Sequence, residues 1–477
     1  MKKPILFLLI FWFAGILFMQ SKDNIPSLGD ASSGSISLSG EYQLGRLWLS
    51  LFRSSVNEYD DPITKSYIED FMYRISESSE VRDRRYEFIT IEDPSINAFA
   101  APGGIIGINK GMFLKTDNEG QFASVMSHEL AHLSQRHYAR SQNQSSPLAN
   151  ALIALGSVAA AVASSNPEAI LIGPALIQQL STNYTRSNEK EADRIGFNNL
   201  VKAGFDPKSQ SEMFQKLQKQ FRGPNDEAYS YLMSHPLPKE RVTDARIRER
   251  GIPKSKSYRN SLEFYLVKSR AEVSESNDLD ALINQYKQNI SRSKDSNTVI
   301  ASSYGISLAL KNQKKYSESF KIARKLIQEN PLNIILQTNI LEIHIASKNS
   351  FEAVSVGENL LSINSGNYAI SFYLSEAYLL NNESDKAEKL LIEMSDRKPS
   401  DPAIWYNLAE AQGLSGNILG LHRSRAEYFI LNGRYDSAIF QLREALKLSQ
   451  NFFEIRESII SKLEDIFETK RALKTIS

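Results

Sequence analysis

From about Ser257 onward the chain shows no strand pattern, only helices of about a dozen residues that recur with a weak period, and this spacing constrains the fold more than any other feature. Tyr316, Phe351, Ser384 and Ile418 occupy equivalent positions, 35, 33 and 34 residues apart. Pro331 and Pro399 each fall 15 residues after such a position. Tyr378 with Ala387 fits one copy, and Trp405, Leu408, Ala409 and Gly416 fit the next. A unit of this length built from two helices cannot bury its apolar face by itself, so copies stack into an all-α solenoid with a concave surface.

The period is that of the tetratricopeptide repeat, a helix-turn-helix unit of 34 residues, and we assign 257–470 to such a domain. At 477 residues the chain is too long for one core, so a second domain is expected. Residues 41–253 supply it. Gly45–Ser54 and Thr64–Ser76 read as amphipathic helices, and Tyr86–Glu92 alternates with period two like a strand. Asn97–Lys110 reads as two extended pieces joined at Pro102-Gly103-Gly104. Gln121–His137 is helical, capped by Asp117 or Asn118. Ala149–Ala163 and Ala169–Gln179 read as a helical hairpin that either covers a domain or acts as a lid or membrane-touching element. The whole is an α+β fold, mostly helical with a small sheet, followed by the repeats.

Lys2 and Lys3 precede an apolar run from Ile5 to Met19, the pattern of a secretory leader over residues 1–21. A cleaved signal is favoured over an uncleaved anchor, although no clean cleavage site follows. Residues 22–40 are polar and rich in Ser and Gly, as in a disordered linker. The formal net charge of +1 gives no electrostatic case for a nucleic-acid partner, although a local basic patch can hide in that average. Cysteine is absent, so disulfides, thiolate metal sites and a lipidated cysteine are excluded.

The strongest chemical signal is His128-Glu129-Leu130-Ala131-His132. On a helix, residues four apart share a face, so both imidazoles can grip one ion while Glu129 reaches a water on it. With six histidines in the chain, HExxH arises by composition alone in roughly one such sequence in two hundred. A hydrolytic zinc site takes three protein ligands and keeps one position open. His137 lies nine residues after His128, on the opposite face if the helix continues, and is not the expected third ligand. Glu189 is. Asp193, four residues on, shares its face and can take the N–H of a ligand imidazole, while Glu191 points away and is expected to be solvated. Glu129 and Asp193 are thus the catalytic candidates and His128, His132 and Glu189 the zinc ligands, with one Zn2+ per chain. His235, in His235-Pro236-Leu237-Pro238, is either a conditional fourth ligand, an oxyanion donor or a turn histidine, and Arg241 is a second candidate donor. The piece near Asn97–Gly104 is either an ordinary hairpin or an edge strand to which a peptide substrate adds.

HExxH with a distant Glu-x-x-x-Asp resembles the gluzincin metallopeptidases related to HtpX and the CAAX prenyl proteases. The ordered set of Glu41-Tyr-Gln-Leu-Gly45, Asn97–Gly104, the HELAH helix ending in Gln135-Arg136-His137, Glu189–Asp193, Ser234–Pro238 and the repeats resembles the periplasmic barrel-assembly-enhancing proteases. That resemblance implies a zinc endopeptidase (a hydrolase) of the periplasm. It implies Glu129 as general base, Asp193 supporting a ligand, and His235 capping the metal and keeping the enzyme latent. It also implies a zincin-like (gluzincin) fold, unfolded or stalled outer-membrane proteins as clients, and repeats that contact the barrel-assembly machinery, with chaperone-like activity; peripheral membrane contact is an expectation carried by the 149–179 hairpin. A latent protease acting chiefly as a repeat scaffold is the alternative. Without cysteine, contact between the two domains must be noncovalent.

Overall fold

The computed structural model describes residues 37–141, 185–220, 229–253, 255 and 257–474. The expected leader, the linker up to residue 36 and the expected hairpin of 149–179 lie outside them. The first helix, α1 (Leu38–Arg53), starts three residues inside the stretch assigned to the linker, because Ser37 accepts a hydrogen bond from the Gly40 N–H and caps it. Helix α2 (Pro62–Ser76) begins with Asp61 as its cap and Pro62 in the first turn, where a missing N–H costs nothing.

Three strands follow: β1 (Glu87–Ile91), β2 (Ala98–Ala101) and β3 (Ile105–Asn109), in the order β1-β3-β2. β1 runs parallel to β3 and β2 antiparallel to it, so β2 stands at one edge of the sheet. The turn between β2 and β3 needs Gly103 and Gly104, whose φ values of +76° and +78° suit no other residue type well. Short α3 (Gly111–Lys115) leads to α4 (Glu119–Ser134), which carries the HELAH segment and is capped by Asn118. Its apolar residues, Phe122, Val125, Met126 and Leu130, join a core with Phe71, Phe113 and Phe264. Then come α5 (His137–Ser141), α6 (Arg186–Lys202), α7 (Lys208–Gln220), α8 (Tyr229–Ser234) and α9 (Lys239–Arg250).

Twelve helices between Leu262 and Lys474 form the remainder of the described chain. The periodic positions fall where the repeat geometry requires: Tyr316, Ser384 and Ile418 each open a helix, and Phe351 is the second residue of another. Gly416 ends Pro402–Ser415 in the left-handed conformation, with φ of +83°. The alternating helices differ in burial. Ile334–Ala346 and Tyr368–Leu380 are apolar round most of their girth and largely buried, whereas Tyr316–Glu329 and Ser384–Arg397 bury only a stripe.

Tyr368–Leu380 packs against α2, and a buried polar cluster joins the repeats to the N-terminal half of the described chain. Arg270, itself buried, donates from Nε to the Asp61 carboxylate at 3.0 Å, from Nη1 to Tyr304 Oη at 2.7 Å and Glu342 Oε1 at 2.8 Å, and from Nη2 to Tyr373 Oη at 3.0 Å. One guanidinium thus joins the cap of α2 to three repeat helices. Further out, Lys398 pairs with Glu69, Lys65 lies 3.5 Å from Asp401, and Ser50 and Tyr435 hydroxyls meet at 3.0 Å. The buried Glu119, first residue of α4, accepts from the Ser261 N–H at 2.6 Å and hydroxyl at 2.7 Å. The HELAH helix is therefore tied to the segment that leads into the repeats.

Candidate metal centre

Two helices build the centre. α4 presents His128, Glu129 and His132, and α6 presents Glu189 and Asp193 across it. Gly196 allows this approach: a Cβ there would meet the backbone of Ser127 and His128 at 3.0 Å. Ligand-type atoms of His128, His132, Glu189 and His235 all lie within 4.8 Å of one another, and all four residues are buried. The Nε2 atoms of His128 and His132 face each other at 3.0 Å. Glu189 Oε1 stands 3.2 Å from His132 Nε2, and Oε2 stands 3.5 Å from His128 Nε2. Two imidazoles and a carboxylate converging in one buried cluster form the donor set of a hydrolytic zinc site, so the residues fit the ion.

Each candidate ligand has its own support. Asp193 Oδ1 lies 3.1 Å from His128 Nδ1. Arg241 grips Asp193 with two bonds, Nε to Oδ2 at 2.7 Å and Nη2 to Oδ1 at 2.8 Å, and its Nη1 reaches Glu189 Oε2 at 2.8 Å and the Pro236 carbonyl at 2.6 Å. This corrects the view of Arg241 as an oxyanion donor: it is buried and its donors are engaged in fixing two carboxylates.

His137 and Glu191 are the larger correction. The helix does not continue through His137, because α4 stops at Ser134 and Arg136 turns left-handed with φ of +49°. His137 is thereby folded back, fully buried, with Nδ1 3.0 Å from Nδ1 of His132. Since Nε2 of His132 faces the cluster, its Nδ1 carries the proton and donates it to His137. His137 then donates from Nε2 to Glu191 Oε2 at 3.1 Å, and Arg140 Nη1 holds the same oxygen at 3.0 Å. Glu191 is half-buried and engaged, not solvated as its helical position suggests. Removing His137 should therefore weaken zinc binding about 10–100-fold. Competition with a fluorescent chelator on His137→Ala checks this, with His137→Gln, which keeps an acceptor, expected to recover part of the loss.

The electrostatics agree with these partners. Burial pushes the His137 imidazole below its usual range, so it stays neutral. Burial pushes Glu191 up, but the His137 hydrogen bond and Arg140 outweigh it and keep its carboxylate ionised. For Glu189 burial is again opposed, by His235, His128 and His132, and its carboxyl lies well below the ordinary value. Burial lowers His132 strongly. In His128 burial is outweighed by Asp193 and Glu189, which raise the ring to about 10. Glu129 is raised by burial against the pull of His235, His128 and the Ala100 backbone N–H, as suits a group that must accept a proton.

His235 completes the arrangement. The Tyr231 carbonyl accepts its backbone N–H at 2.7 Å, and the Tyr231 ring lies 4.8 Å from its imidazole. Nδ1 is 3.2 Å from both oxygens of Glu189, and Nε2 is 3.6 Å from Glu129 Oε1. It thus stands between the metal-binding carboxylate and the candidate base. Two cavities flank the centre, one of about 550 Å³ bordered by His132 and the β2–β3 turn, the other of about 1240 Å³ bordered by Glu189 and Arg241.

Comparison with known proteins places this geometry. Residues 62–249 match the peptidase family M48, and residues 344–411 match the tetratricopeptide repeat. The chain is 31% identical to a beta-barrel assembly-enhancing protease of Escherichia coli (strain K12) over 467 residues, covering 94% of each chain. It is 30% identical to the Yersinia pestis protein of the same name, covering 90% of this chain and 88% of that one. The mitochondrial metalloendopeptidase OMA1 of Schizosaccharomyces pombe is 25% identical across 53% of this chain and 72% of its own length.

Proposed function

The chain belongs to the beta-barrel assembly-enhancing protease family and is a zinc metalloendopeptidase; from this premise we propose that it cleaves unfolded or stalled outer-membrane proteins in the periplasm, as part of barrel assembly. The observation that carries the reading is the buried His128–His132–Glu189 cluster with Glu129 beside it. We assign residues 41–253 to the peptidase and 257–470 to a repeat domain that contacts the barrel-assembly machinery and holds clients.

His128, His132 and Glu189 would hold the ion. Zinc, when bound, supplies Lewis-acid activation of water and of the substrate carbonyl. Glu129 takes the proton from the attacking water and passes it to the leaving amine, and its raised carboxyl suits both tasks. Asp193 orients His128, and Arg241 holds Asp193 and Glu189 together. His137, Glu191 and Arg140 do the same for His132.

The position of His235 favours a second reading, in which the resting enzyme is latent and its repeats serve mainly as a chaperone-like scaffold. With His235 against Glu189 and near Glu129, water and substrate must displace it before hydrolysis. Casein cleavage by purified protein tests both readings. Chelation is expected to stop it, added zinc to restore it, and His235→Ala to raise its rate. If chelated protein cuts as fast as untreated protein, the metallopeptidase assignment fails. If His235→Ala is slower than wild type, the capping role fails and a catalytic one replaces it.

A further inference from the structure

Beside Glu189 and Arg241, the cavity of about 1240 Å³ runs between α6 and α9. Arg186 and Lys190 line it from α6, and Lys239 and Arg246 from α9. All four are exposed, and none forms an ion pair among the described residues, although such pairs are frequent elsewhere on this surface. The spacing explains the convergence: Arg186 and Lys190 are one helical turn apart, Lys239 and Arg246 two turns apart, so each pair lies on one face of its helix. One exposed carboxylate, Glu240, borders the same cavity. Leu237 and Val242 contribute apolar wall. A chain with almost balanced charge thus gathers four exposed cations, without ion-pair partners among the described residues, in a cavity that Glu189 borders.

From this we infer that the α6–α9 cleft is a substrate-binding subsite selective for acidic peptide segments interleaved with apolar residues. The inference rests on the peptidase reading, and a peptide is favoured over other polyanions because Glu189, a candidate metal ligand, borders the cleft and apolar side chains alternate with the cations in its wall. Exposed pairs of this kind each change affinity by a factor of about 1.4–5, so four acting together are expected to give about tenfold selectivity at low salt. Salt should erase it, since the screening length at physiological ionic strength is about 8 Å.

The test is binding of labelled peptides to zinc-loaded, full-chain Glu129→Gln protein, followed by fluorescence anisotropy. Three peptides share one apolar frame and carry Asp and Glu, Asn and Gln, or Lys at the intervening positions. The acidic peptide is expected to bind about tenfold more tightly than the neutral one at low salt and equally at high salt. The Lys239→Gln/Arg246→Gln protein, and independently the Arg186→Gln protein, should lose selectivity while keeping one zinc per chain. Equal binding of acidic and neutral peptides overturns the proposal, as does selectivity that survives in both variants. A short single-stranded oligonucleotide that binds more tightly than the acidic peptide overturns it too. Failure of wild type to cut any peptide would instead sink the peptidase reading, and the binding comparison would still report on the cleft.

Discussion

Glu129→Gln protein is expected to retain one zinc per chain and to cleave casein about 10²–10⁴-fold more slowly than wild type. The amide keeps the size of the side chain but takes up no proton. The ligands His128, His132 and Glu189 keep their supports in the variant, because Asp193, Arg241 and His137 do not bond to Glu129. Zinc content and rate therefore separate, which distinguishes loss of a base from collapse of the site. Unchanged proteolysis with zinc in place would remove Glu129 from the chemistry. Loss of zinc together with activity would instead make it a structural element of the cluster. The same variant discriminates the two functional readings: if it rescues the envelope defects of a strain lacking the protein, the scaffold role dominates.

The second large effect lies at the contact between peptidase and repeats. Arg270→Met should destabilise the protein by ~3–5 kcal/mol, because it leaves Asp61 buried without its cation and Glu342 with Lys311 alone. In wild type, burial pushes Asp61 up, but Arg270 and the Thr64 hydrogen bonds outweigh it and its carboxyl lies below the ordinary value. Glu342 is likewise lowered, with Arg270 and Lys311 overcoming burial. A carboxyl depressed in the folded state stabilises fully above its unfolded pKa, near 4, and loses that contribution as pH falls through the folded value. Wild type should therefore lose stability steeply only below about pH 4. Without Arg270, burial shifts the Asp61 carboxyl upward, so as pH falls it takes up its proton before the wild-type group does, which relieves the variant. The gap in urea midpoint between the two proteins is thus expected to be widest near pH 7 and to narrow towards pH 4. A gap that is constant across this range, or below about 1 kcal/mol, would show that Arg270 is not the hub of the contact.

Other site features need long-range information. No periodicity in the chain signals that Arg136 takes a left-handed φ, yet that single residue turns His137 back onto His132. Helical spacing places Glu191 away from Glu189 and so suggests a solvated side chain, but the second element that reaches it, α5, lies some fifty residues earlier. The turn itself is the available signal: Gln135-Arg136 interrupts the apolar pattern just before His137. Sequence places Arg241 near the site but in the wrong role, since nothing local shows that Asp193 and Glu189 consume its donors.

The 34-residue spacing and the HELAH pattern are legible because each is a statement about one helix or one helix pair. Side-chain azimuth repeats every 3.6 residues, so a sequence determines by itself which residues share a face: His128 with His132, Glu189 with Asp193, and the apolar stripes of the repeats. It determines far less about which faces meet. The repeat solenoid closes on the peptidase through Arg270, whose partners lie up to 209 residues away, and the four basic residues beside the metal centre come from two helices brought together by packing. Charge that is balanced along the chain is unbalanced in space, and only the tertiary structure, by burying some pairs and leaving the cations of the α6–α9 cleft without ion-pair partners among the described residues, decided where.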